Sequence, residues 1–100
     1  MELGGKERRH LRALAHHLTP VVVIGKEGVS ESVRTAVDQA LTDHELIKVR
    51  VLEACPDDRK EVARAVAEAT GAGLAGVIGR IVILYRPHPD EPRITLPRRD

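Results

Sequence analysis

Residues 18–28 read Leu18-Thr19-Pro20-Val21-Val22-Val23-Ile24-Gly25-Lys26-Glu27-Gly28 and hold a change of structure from end to end. Thr19-Pro20 stops a preceding helix, because the residue before proline is pushed out of the helical region. Residues 21–24 are β-branched throughout and bounded by Pro20 and Gly25, which predicts a short strand buried on both faces. Gly25-Lys26-Glu27-Gly28 then forms a loop whose glycines let the backbone approach a ligand, and Ser30 is placed to cap a helix behind it.

Working outward, Leu11, Leu14 and Leu18 follow helical spacing over residues 6–17, with Arg9, Arg12 and His16 on the opposite side. Beyond the loop, Val33, Ala36, Val37, Ala40 and Leu41 make the apolar stripe of a second helix ending near Asp43. Residues 46–52 alternate, with Ile47, Val49 and Val51 on one face and Lys48 and Arg50 on the other, as in a strand half open to water. Asp58-Arg59-Lys60-Glu61 reads as a capping box for a third helix, and Gly71 supplies its left-handed stop. Residues 74–78 and 81–85 are two more strands, close enough that Gly79-Arg80 must turn a tight hairpin. The order α-β-α-β-α-β-β predicts a single α/β domain, a mixed four-stranded sheet packed by three helices. Pro87, Pro89, Pro92 and Pro97 make residues 87–100 an extended tail on a domain of residues 1–86.

One hundred residues support one core. It is aliphatic, since Phe and Trp are absent and the single Tyr85 is assigned to the interior. The first residues hold no apolar stretch suited to a signal peptide, and residues 21–24 and 81–85 are too short to span a bilayer. The expected location is the cytoplasm, with no membrane partner. Cys55 is the only cysteine, which excludes an intrachain disulfide and a thiolate metal cluster. The histidines at 10, 16, 17, 44 and 88 lack a paired ligand spacing, so no metal is expected. His16 and His17 instead complement the C-terminal dipole of the first helix. Asp57-Asp58 reads as helix capping, and no nucleophile stands with a base. The chain is therefore not read as an enzyme, and neither cofactor nor small-molecule substrate is expected.

The net charge is +1, but residues 1–20 carry four Lys/Arg against two acids and residues 80–100 five against three, flanking a middle with seven against ten. Two basic ends that meet on the folded surface would form a patch hidden by the sum. Twelve arginines against four lysines suit phosphate forks, and one aromatic residue excludes the stacking platforms that hold unpaired bases. Were the ligand a nucleic acid, this composition would suit contact through its backbone and shape and not through stacked bases.

The loop Gly25-Lys26-Glu27-Gly28 offers helix N–H groups and a cation to a phosphate, with Arg34 about one turn into the following helix and Glu27 opposing. A G-x-x-G tetrapeptide also serves as a plain strand-to-helix turn. It is neither a Walker loop nor a dinucleotide fingerprint. It resembles the loop by which KH domains clamp nucleic-acid backbone, although there it joins two helices.

Taken with Leu11, Leu14-Ala15-His16, residues 18–28, His44-Glu45-Leu46-Ile47-Lys48-Val49, Val77-Ile78-Gly79-Arg80 and Leu84-Tyr85-Arg86-Pro87, the chain resembles the stand-alone, YhbY-like bacterial members of the CRM domain family over nearly its whole length. The resemblance implies a fold similar to the C-terminal domain of translation initiation factor three. It also implies a role in binding large ribosomal subunit precursors. By resemblance, Gly25, Lys26 and Gly28 occupy the RNA-binding loop, and Lys6, Arg9 and Arg12 the basic helix. From their positions alone, Arg34 beside the loop and Lys48 on the open face of the second strand are added to the site, although a charged strand face is more often only solvated. Glu27 and the acidic middle depart from the family's basic character. The expected partner is ribosomal RNA or a large-subunit precursor, and the chain is taken as a monomer. The alternative is a protein-interaction module that docks on a ribosomal protein or assembly factor through the tail or an exposed sheet edge, without touching RNA.

Overall fold

A computed structural model describes residues 1–98, in the order α1 (Gly5–Ala15), β1 (Pro20–Ile24), α2 (Glu31–His44), β2 (Leu46–Val51), α3 (Arg59–Thr70), β3 (Gly73–Ile78) and β4 (Ile81–Tyr85). The strands form one mixed sheet in the order β1-β2-β4-β3, with β1 and β2 parallel and the remaining pairs antiparallel. This is the single α/β domain that the sequence predicts.

Capping fixes where the helices start. Ser30 Oγ accepts the Val33 N–H at 3.2 Å at the head of α2, and an Asp58 carboxylate oxygen accepts the Lys60 N–H at 3.0 Å at the head of α3. Each satisfies a donor that the first helical turn leaves without a partner. At α1 the Gly4 N–H donates to Glu7 Oε1 at 2.8 Å, the reciprocal contact of a capping box, with glycine where the capping side chain would stand. Gly71, at φ 68°, ends α3 in the left-handed conformation.

Strand alternation divides the core between the two faces of the sheet. Val22, Ile24, Ile47, Val49 and Val82 face α2 and α3. Leu46, Ala75, Ile83 and Tyr85 face the other way, toward Leu3, Leu11 and Ala15 of the N-terminal segment. Tyr85 thus lies in the core.

Two expectations from the sequence are corrected. Residues 21–24 are not buried on both faces: β1 is an edge strand, and while Val22 and Ile24 are buried, Val21 and Val23 are exposed on the side that carries α1. The first helix does not bury the Leu11, Leu14 and Leu18 stripe, for its inward residues are Glu7, Leu11 and Ala15, and Leu14 and Leu18 remain 44% and 39% exposed. The cause lies in β3. A Cβ at Gly73 would stand 2.7 Å from Leu3 Cγ, and one at Gly76 would stand 2.7 Å from Arg12 Cδ. These glycines let the N-terminal segment close directly on the strand and turn Arg12, not Leu14, toward the sheet.

Residues 86–98 carry no helix or strand yet run along the domain, with Ile94 and Leu96 packed against the α1-side core. Residues 99 and 100, the end of the expected tail, lie outside the described residues. Glu45 is the tether. It is 3% exposed at φ 65°, and its carboxylate accepts the N–H groups of Arg93 at 2.8 Å, Ile94 at 3.2 Å and His88 at 3.3 Å. Burial pushes this carboxyl up, but those three backbone donors and the Arg93 charge outweigh it and hold the group below its ordinary value.

Candidate nucleic-acid interface

The loop Gly25-Lys26-Glu27-Gly28 leaves the sheet where three connections converge. Leu52 N–H donates to the Ile24 carbonyl at 2.9 Å, and Val51 N–H to the Arg80 carbonyl at 2.8 Å, so the loop, the end of β2 and the β3–β4 hairpin share one end of the sheet. Within the loop, Gly28 N–H donates to the Gly25 carbonyl at 3.0 Å and closes a turn with Lys26 and Glu27 exposed at its corners. Gly28 sits at φ 64°, and a Cβ there would lie 3.4 Å from Asp57 Oδ2. Gly25 has no such constraint, because a Cβ would meet only Leu52 Cδ1 at an ordinary 3.7 Å. The fold therefore demands glycine at 28 and not at 25.

One flank of the loop is acidic. Glu27, Asp57 and Glu61 line an open depression there with Val29 and Val62. The carboxylates on that flank oppose the approach of a phosphate.

The other sequence-derived candidates divide between the two faces. Arg34 is exposed on α2, which packs against the face opposite α1, so it does not share a surface with the basic helix. Lys6 lies in the first turn of α1, near Leu3 and Gly73 and toward the end of the sheet remote from the loop. Arg9 is exposed. Arg12 is half-buried, its stem against Gly76 and its Nη1 donating to the Ala75 carbonyl at 2.9 Å, so it fastens α1 to β3 as well as contributing charge. Lys48 is half-buried too, with Nζ 3.5 Å from the His16 carbonyl oxygen.

Arg50 and Arg80 are exposed at the loop end of the sheet, and neither forms an ion pair among the described residues. Sequence reasoning placed Arg50 beside Lys48 on one strand face but took only Lys48 into the site, and it gave Arg80 a turn position and a place in the family resemblance without a binding role. The alternation carried the signal for Arg50; nothing local carried one for Arg80. The two basic ends of the chain do meet, since Leu3 and Leu11 share a cluster with Ile94 and Leu96. Tyr85 offers no stacking surface, and burial, with the Glu45 and Glu7 charges, raises its phenol above the ordinary value.

A model of the CRS1 / YhbY (CRM) domain matches residues 3–86 of the chain. The probable RNA-binding protein YqeI of Bacillus subtilis is 40% identical over 95 residues, which are 95% of this chain and 99% of that protein. An RNA-binding protein of Haemophilus influenzae is 41% identical over 97 residues, 97% of each chain. Among solved structures, a hypothetical protein of Staphylococcus aureus described as a candidate RNA-binding protein superposes with a TM-score of 0.82 at 43% identity, over 95% of this chain and 99% of its own.

Proposed function

Since the chain belongs to the CRS1 / YhbY (CRM) domain family, we propose that it is an RNA-binding protein that contacts structured ribosomal RNA through the Gly25-Lys26-Glu27-Gly28 loop and α1, and assists assembly of the large ribosomal subunit. The relatives are named as RNA-binding proteins, and the family model that matches is that of the CRM domain. The observation that carries the reading is Gly25: the backbone there tolerates a side chain, so a glycine suits close approach of a ligand rather than the turn itself. Lys26 at the loop corner and Arg9 on α1 supply exposed cations. No helix among the described residues is long and apolar enough to cross a membrane, and we place the protein's work in the cytoplasm.

The test is binding to large-subunit ribosomal RNA precursor across a salt series, comparing the natural chain with a Lys26→Ala, Arg9→Ala double variant. Arg12 is left intact because its loss would also loosen α1. Weaker binding with a salt slope lower by about two is expected, roughly one unit for each phosphate left without its cation. Unchanged binding would overturn the assignment of the site.

A second reading, docking on a protein of the ribosome, is favoured by an open apolar groove of about 380 Å³ between Leu14, Leu18, Val21, Leu46 and Ile94. Association through that groove would change little with salt, which separates it from phosphate contact in the same experiment.

A further inference from the structure

Helix α1 leaves part of its sheet face bare. Strand register aligns Val23 with Arg50, Arg50 with Ile81, and Ile81 with Ile78, one row across all four strands at the end nearest the loop and hairpin. These side chains point away from the α2–α3 core, because their strand neighbours Val22, Ile24, Val49, Val51 and Val82 point into it. The adjacent row, Lys48, Ile83 and Gly76, is roofed: Arg12 lies on Gly76 and Lys48 reaches the His16 carbonyl. Among the described residues the outer row is open at Val23, 52% exposed, at Arg50 and at Ile78, 59% exposed, while Ile81 between Arg50 and Ile78 is half-buried against the α1-side core. Arg80 stands exposed at the hairpin that ends the row.

The row spans three inter-strand gaps, or about 14 Å. It alternates aliphatic surface with a guanidinium and has no aromatic group, so bases cannot stack on it. Aliphatic side chains suit riboses, and arginine forks suit phosphates and 2′-hydroxyls, the groups that an RNA helix displays across its wide, shallow minor groove.

Resting on the RNA-binding reading of the loop, we propose that this bare row is a second contact surface that receives the minor-groove side of double-helical RNA. Arg50 and Arg80 donate to backbone oxygens, Val23, Ile81 and Ile78 lie against riboses, and the loop grips the flanking backbone. The charge of the row and its continuity with the loop select this occupant.

The experiment measures binding of an RNA hairpin with a stem of about 16 base pairs, and of an unpaired oligonucleotide of equal length, at several salt concentrations. The proteins are the natural chain, Lys26→Ala, Arg50→Ala with Arg80→Ala, and Ile78→Glu, each checked for folding by circular dichroism. The natural chain is expected to prefer the hairpin. The double arginine variant should lose about tenfold in affinity and flatten the salt slope by about two. Ile78→Glu, which brings a like charge to the phosphates, should weaken binding in the same direction. If the double arginine variant binds like the natural chain while Lys26→Ala is weakened, the row is not an RNA surface and the loop reading survives. If neither is weakened, or the natural chain binds no RNA, the loop reading fails and takes the row with it. Preference for the unpaired strand would sink the helical occupant alone.

Discussion

Gly25 and Gly28 look equivalent in a G-x-x-G pattern but answer to different constraints. At Gly28 the backbone lies at φ 64°, where an L side chain is strained, and Asp57 Oδ2 waits 3.4 Å from the position of a Cβ. Gly28→Ala is expected to lower stability by about 1 kcal/mol. Gly25→Ala should fall within about 0.5 kcal/mol of the natural chain in urea unfolding, yet still weaken RNA binding by filling the space a phosphate needs. An affinity unchanged in Gly25→Ala would remove the argument that this glycine serves a ligand. Lys48 and Arg50 make a second such pair: the alternation puts both on one strand face, and only the position of α1 decides that the lysine is half-buried and the arginine open.

Among the elements, Arg86 locks two helices to the sheet's far end. Its Nη1 donates to Asp38 Oδ1 at 2.6 Å and to the Thr70 carbonyl at 2.8 Å, and its Nη2 to the Asp38 carbonyl and Thr42 Oγ1, both at 3.0 Å. One planar fork thereby joins α2 to the end of α3, a geometry lysine cannot copy. Arg86→Lys and Arg86→Ala are both expected to destabilise the fold by about 1–3 kcal/mol in chemical denaturation. Neither should alter the salt slope of RNA binding, since these donors are already engaged. The boundaries of α2 and α3 were legible because Ser30, Asp58 and Gly71 act within a turn of themselves. The orientation of α1 was not. Leu14 fits the helical stripe as well as Ala15 does, and the choice fell to Gly73 and Gly76, some sixty residues away in the chain.

Across the whole molecule, Glu45 ties the end of the chain to the domain, and its contribution depends on pH with a definite sign. Its folded value lies below the ordinary 4.5, so its stabilisation is fully present above that value. It is lost as the pH falls through the lower, folded value. Acid titration should release the N–H groups of Arg93 and Ile94 to hydrogen exchange before the sheet opens, and Glu45→Gln should release them at neutral pH; continued protection in that variant would show that Ile94 and Leu96 suffice to hold the tail. By itself the sequence determined the order of elements, the caps of α2 and α3, the hairpin, the aliphatic core and a glycine loop with a cation at its corner, because periodicity, capping and turn chemistry act over a few residues. The tertiary structure alone decided which strand became the edge, which basic residues stayed open to solvent, that the two basic ends would meet, and that one row of the sheet would be left bare. Alternation states which residues share a face, but what covers that face is set by packing between segments far apart in the chain.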